Sequence, residues 1–180
     1  VIDGGIWLNT QRPEWNDANN ALVGQGLSMV TLCYLNRYLT FVTQLLVSIE
    51  DTDKQFAMTT EVAEWLTGTT YILQSAGAQI EQGKVSASLQ FSTLQKLGTL
   101  ASEYRAKMYH HSGNYTKEVV SIDELKALLS SAKPLITRSI ETNYSESGLY
   151  HAYNVLGINP KSLNVSHLYD MLEGQVAALS

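Results

Sequence analysis

A chain of 180 residues has room for one domain with a sizeable core, burying roughly 70% of its unfolded surface, and needs no disulfide staples. With 44% hydrophobic residues and three prolines it is too apolar for a disordered or collagen-like chain, and with only 16% charged residues its surface is polar rather than ionic. Twelve Lys and Arg against 17 Asp and Glu give a net charge of -5, which argues against nucleic acid or an anionic membrane as a partner. The single cysteine, Cys33, excludes an internal disulfide and any multi-cysteine metal site, and reads as a small buried hydrophobe.

Residues 1 to 19 show no period, and Gly4-Gly5, Pro13 and Asn16 to Asn20 punctuate them as loop. From Leu27 to Ile49 the sequence is apolar on most of its circumference, which predicts a long helix. Asn36 and Arg37 at its middle make it a helix buried in protein rather than a membrane span, because a central Arg costs at least about 2.5 kcal/mol on insertion. A second helix is expected from Thr60, with Glu61 and Glu64 in its positive first turn, to about Gln82, where Gly83 ends it. A third carries Leu94, Leu97, Ala101, Tyr104 and Met108 as one apolar face.

Ser121 and Glu124 form a capping box, so a fourth helix starts at Ile122, with a break or kink expected at Lys133 before Pro134. Asn143 to Gly148 reads as a turn, Gly148 to Asn154 as a brief strand or a loop, and Asn159-Pro160 as another loop. A last helix begins near Leu168 or Met171. These elements together predict an all-α fold. The chain begins at Val1 without a secretory signal and ends on an apolar helical stretch without a stop signal. Such ends read as those of a fragment, residues 1 to 180 forming a single domain that is itself a piece of a larger catalytic domain, and they assign no compartment.

The densest chemistry lies in Arg12 to Gly24. Glu14, Trp15, Asn16, Asp17, Asn19 and Asn20 put two carboxylates, an indole and three carboxamides just before a long helix. Sugar chemistry uses that mixture: an indole stacks on a pyranose, amides bind hydroxyls and a carboxylic acid protonates the leaving oxygen. The plainer reading is that Asp17, Asn19 or Asn20 caps the helix.

Glu14-Trp15-Asn16-Asp17-Ala18-Asn19-Asn20 resembles the Asp-Trp-Asn-Asp-Gly-Met-Asn loop of the glycoside phosphorylases that act on cellobiose and chitobiose. Gly26-Leu27-Ser28-Met29-Val30 resembles that family's Gly-Glu-Ser-Val-Trp, with the Glu missing, and Leu172 to Ser180 is similar to its Gln-containing motif beside the anion or base position. The resemblance implies a helical-hairpin array forming part of an (α/α)6 toroid, with five or six of the twelve helices present. It also implies that Asp17 is the general acid, that Trp15 lines the sugar site and that Glu14, Asn16 and Asn20 lie around it. Glu14 and Ala18 depart from the family's first Asp and its Gly.

The implied function is cleavage of a glycosidic bond, by inverting hydrolysis or by phosphorolysis. No cofactor is expected, and inorganic phosphate is a possible co-substrate. The expected partners are an oligosaccharide and the remainder of the parent chain, and the piece alone is expected to be inactive. Glu173 is the candidate base, against the plain alternative of an exposed first-turn helix Glu. Gln175 of the C-terminal motif, and Tyr150 and His151 beside Tyr153 and Asn154, are further candidates for contacting the saccharide, although the aromatic segment also reads as half-buried core. The adjacent pair His110-His111 makes a poor metal site, and Glu50 to Asp53 lacks the spacing of a calcium loop, so no metal is expected. A non-catalytic helical domain that binds glycans or acts as a scaffold is the alternative function.

Overall fold

The computed structural model describes residues 1–8, 22–49, 54–80, 85–110, 113 and 115–179. Of these, 59% are helical and 19% lie in strands, so the fold is mixed α/β rather than the expected all-α array of helical hairpins. The difference lies in short strands that carry no long period. Three of them are Gly26–Ser28, Gln55–Thr59 and Lys117–Ser121, and each leads directly into a helix whose stronger pattern masks it.

In chain order the described elements are β1 (Ile6–Trp7), β2 (Gly26–Ser28), α1 (Met29–Val47), β3 (Gln55–Thr59), α2 (Thr60–Ile80) and α3 (Ala87–His110), then β4 (Lys117–Ser121), α4 (Ile122–Glu141), β5 (Tyr153–Asn159), β6 (Ser162–His167) and α5 (Leu172–Leu179). They form two compact units. The first comprises Val1–Tyr38, Val85–Phe91 and Leu135–Ser180, and the second Leu39–Lys84 and Ser92–Pro134.

The first unit holds an antiparallel sheet of order β1-β2-β5-β6. Its centre is the pairing of Leu27 with Asn154 and of Ser28 with Tyr153, all four side chains being withdrawn from solvent. β5 and β6 are a hairpin closed by Pro160 and Lys161, with Asn159 opposite Ser162. The Asn159-Pro160 signal was thus that of a hairpin turn between two strands. Ser28 ends β2 and caps α1, its Oγ accepting from the Thr31 N–H at 3.0 Å.

The second unit pairs β3 with β4 antiparallel, Gln55 opposite Ser121 and Thr59 opposite Lys117. Its core joins Ala63 and Leu66 of α2 to Val120 of β4, with Met58, Leu125 and Leu128 packed around them. The capping box is present as expected: Glu124 Oε2 accepts from both the Ser121 N–H and its hydroxyl at 2.8 Å, and Ser121 Oγ accepts from the Glu124 N–H at 3.2 Å. On α3 the five residues of the expected apolar stripe are all partly buried.

Of the break or kink expected at Lys133, a break does not occur, since α4 runs through Pro134 to Glu141. A proline inside a helix removes one backbone hydrogen bond, which the rest of a twenty-residue helix can sustain. The boundary between the two units nevertheless falls at this place, between Pro134 and Leu135.

Candidate functional site

Two features of the first unit carry chemistry: an open groove beside α5, and a polar network that runs from the N-terminal loop to the end of β6.

The groove is lined by Val30 and Tyr34 of α1, Tyr153 of β5, and Met171, Glu173 and Val176 at and just before α5, and its volume is about 710 Å³. Its position follows from how α5 is seated. Gly174 lies against the segment that leads into β5, where a Cβ would stand 2.9 Å from the Tyr150 carbonyl oxygen and 3.0 Å from the Ala152 Cβ. Only a glycine lets the helix approach so closely. Gln175 then fastens it: its Oε1 accepts from the Tyr150 N–H at 2.8 Å and its Nε2 donates to the Tyr150 carbonyl at 2.7 Å. With Gly174 and Ala177 turned inward, Glu173 and Val176 remain exposed along the groove.

The polar network begins at Asp3, whose carboxylate receives the Arg138 guanidinium side-on, Nε to Oδ1 at 3.1 Å and Nη2 to Oδ2 at 3.2 Å. Asn143 donates from Nδ2 to the Asp3 and Ser139 carbonyls. Asn154, fully buried, donates from Nδ2 to the Gly4 carbonyl at 2.9 Å and to Asn143 Oδ1 at 2.7 Å. Its own Oδ1 is therefore the acceptor for His167 Nδ1 at 2.7 Å, which fixes the proton of neutral His167 on Nδ1. His151 stacks flat on His167, with ring centroids 4.1 Å apart and planes 4° from parallel. Asp170 Oδ1 lies 3.6 Å from His151 Nδ1, and Ser147 donates to Asp170 Oδ2 at 3.1 Å. Burial, and then the neighbouring His151, push the His167 pKa below its ordinary value of 6.5.

Ser147, Asp170 and His151 are not wired as a nucleophilic triad, because the carboxylate stands between the hydroxyl and the imidazole where a base would have to touch the hydroxyl. Among the described residues no three His, Cys, Asp or Glu side chains are grouped to hold a metal ion. Nor is any described helix long and apolar enough to cross a membrane.

The sequence candidates are distributed as follows. Glu14, Trp15, Asn16, Asp17 and Asn20 lie outside the described residues. Glu173 stands on the groove wall. Gln175, next in the same helix, has its amide engaged by the Tyr150 backbone. Tyr150 pairs with Tyr144 across an isolated bridge, their rings 4.9 Å apart, and His151 belongs to the imidazole stack.

Sequence reasoning did not single out Tyr34 of the groove or His167 of the polar network. The partnership of His151 with His167 rests on the β5–β6 hairpin and leaves no trace in sequence spacing. Set against models of known protein families and against curated proteins, the chain has no significant match.

Proposed function

We propose that this chain handles a saccharide and takes part in cleaving its glycosidic bond, with Asp17 as general acid and Glu173 as the second carboxylate. The observation that carries this reading is the groove: an open cleft of about 710 Å³, within the usual range for ligand sites, whose lining includes Glu173, the half-exposed Tyr34 and the buried Tyr153. Aromatic rings and a carboxylate are the groups that pyranose binding and acid-base chemistry draw on. The resemblance of Glu14 to Asn20 to a phosphorylase loop adds the proton donor.

In inverting hydrolysis Glu173 would deprotonate the attacking water while Asp17 protonates the leaving oxygen. In phosphorolysis phosphate replaces the water and the base is dispensable. The test is cleavage of an oligosaccharide panel, with and without phosphate, by the longest natural form of this polypeptide. Replacement of Asp17 by Asn is expected to lower turnover by about a hundredfold or more. Glu173→Gln is expected to do the same only for the hydrolytic route. A mutant Asp17→Asn that cleaves as fast as the wild type overturns the assignment. Saccharide binding without turnover in either form would instead favour a glycan-binding module.

A further inference from the structure

Asp170 stands two residues before α5, in the segment that leads from β6 into that helix. Its two carboxylate oxygens have different neighbours. Oδ2 receives the Ser147 hydroxyl at 3.1 Å, while Oδ1 lies 3.6 Å from His151 Nδ1. That nitrogen is closed to water, and the distance is too long for a hydrogen bond. A charged imidazole donates to a carboxylate at about 2.7–2.9 Å, so a proton on His151 would draw the two groups together by about 0.8 Å. With side chains 15% and 33% exposed, His151 and Asp170 are screened by water only in part.

The other ring of the stack does not compete for that proton on equal terms. Asn154 uses both of its donors on Gly4 and Asn143, so its Oδ1 holds His167 by an Nδ1 proton that the neutral ring already carries. Burial, and then His151, keep the His167 pKa below 6.5. Two charged rings would stand face to face with centroids 4.1 Å apart, so the stack as built accommodates one charge and resists a second. Among the described residues the groups set against the pair are Asp170 from the segment before α5, Ser147 from the loop after α4 and Asn154 from β5, of which Asp170 alone is ionisable. Asp3 and Arg138 join the network only through Asn143, and they neutralise each other.

We propose that the stacked imidazoles form a one-proton latch for α5: as pH falls, a single proton settles on His151, pairs with Asp170 and fixes the segment from which the helix starts. α5 is already seated on the stretch of chain that carries His151, by Gly174 against Tyr150 and Ala152 and by the Gln175 amide on Tyr150. The ion pair adds a second tie at the entrance of the helix. Because α5 brings Leu172, Glu173 and Val176 to the groove, its wall is firmer in mild acid than in mild base, whether or not the groove takes a saccharide.

The test is hydrogen exchange at the Val176 and Ala177 amides of the 180-residue chain without ligand, corrected for the intrinsic effect of pH on exchange. Exchange in the wild type is expected to slow about fivefold between about pH 8 and about pH 6, the effect of one charge-assisted hydrogen bond. The stability lost in acid through His167 acts on the fold as a whole and would speed exchange instead, so the two effects differ in sign. Asp170→Asn keeps an acceptor for Ser147 but carries no charge, and His151→Phe keeps a flat ring that takes no proton; both are expected to abolish the slowing.

Nitrogen NMR of the imidazoles reads the same latch directly. His151 is expected to take its charge first, while His167 stays neutral to lower pH. Exchange that does not slow in the wild type, slowing that survives in Asp170→Asn, or His167 charging before His151 overturns the proposal. Asp170→Asn changes no side-chain size, so it decides the outcome even where His151→Phe fails to fold.

Discussion

Gln175 holds the backbone of Tyr150 with both ends of one amide, accepting from its N–H at 2.8 Å and donating to its carbonyl at 2.7 Å. The clasp joins α5 to the segment entering β5 and thereby sets the wall of the groove on which Glu173 stands. Neither end of the amide can be lost without leaving a partly buried backbone group unpaired. Replacing Gln175 by Ala is therefore expected to cost about 1–3 kcal/mol in urea unfolding and to speed hydrogen exchange at the Tyr150 amide. Glu at the same position keeps the acceptor but sets a carboxylate oxygen against the Tyr150 carbonyl, and is expected to restore slow exchange only in part. Unchanged exchange in both variants would mean that the clasp does not form in solution.

Gly174 gives a prediction whose sign separates helix propensity from packing. In an exposed helix, Ala for Gly stabilises by about 1 kcal/mol. Here the added Cβ would meet the Tyr150 carbonyl oxygen at 2.9 Å and both the Cα and Cβ of Ala152 at about 3 Å, groups that belong to backbone or stay close to it and cannot swing aside. Gly174→Ala is expected to destabilise by about 1–3 kcal/mol in equilibrium unfolding. A more stable variant would show that α5 stands further from Tyr150.

The imidazole stack makes stability depend on pH. The His167 pKa is lowered in the fold, first by burial and then by the neighbouring His151, so the unfolded chain takes up that proton more readily. Stability from His167 is therefore present above the ordinary His pKa of 6.5 and is lost as pH falls below it, levelling off once the lowered folded value is passed. Replacing His151 by Phe keeps a flat ring but removes the charge. The His167 pKa, followed by NMR, is then expected to rise but to stay below 6.5, because burial remains. No change would mean that burial alone sets the shift.

What was legible in the sequence follows from pattern length. The stripe Leu94 to Met108 and the Ser121–Glu124 box each repeat or reinforce a local rule: the box forms, and the stripe lies on one helix, although its five residues are only partly buried. β2 has three residues and passes straight into α1, so its Leu27 was read as the first turn of the helix. β3 and β4 are five residues each and earn their order from pairing with one another, a long-range relation with no local periodicity. The same distinction governs the candidate site. Glu173 reads as a candidate because it opens a helix in a motif, whereas the exchange of bonds among Asn143, Asn154 and His167 depends on chain segments that meet only in the fold.

The capping box carries the last prediction. Glu124 accepts from the backbone N–H and the hydroxyl of Ser121, and these two bonds hold its carboxyl pKa below the ordinary value of 4.5. The sign is opposite in origin to that of His167 but the direction with pH is the same. A carboxylate favoured by folding contributes above the unfolded pKa and loses that contribution as pH falls through the folded one. Ser121→Ala removes the hydroxyl from both partners and is expected to cost about 1 kcal/mol at neutral pH. Glu124→Gln keeps an acceptor for the Ser121 N–H and cannot titrate. In unfolding measured at about pH 7 and about pH 3, the wild type is expected to lose more stability between the two than Glu124→Gln does. Equal losses would mean that the carboxylate of Glu124 is no better held in the folded chain than in the unfolded one.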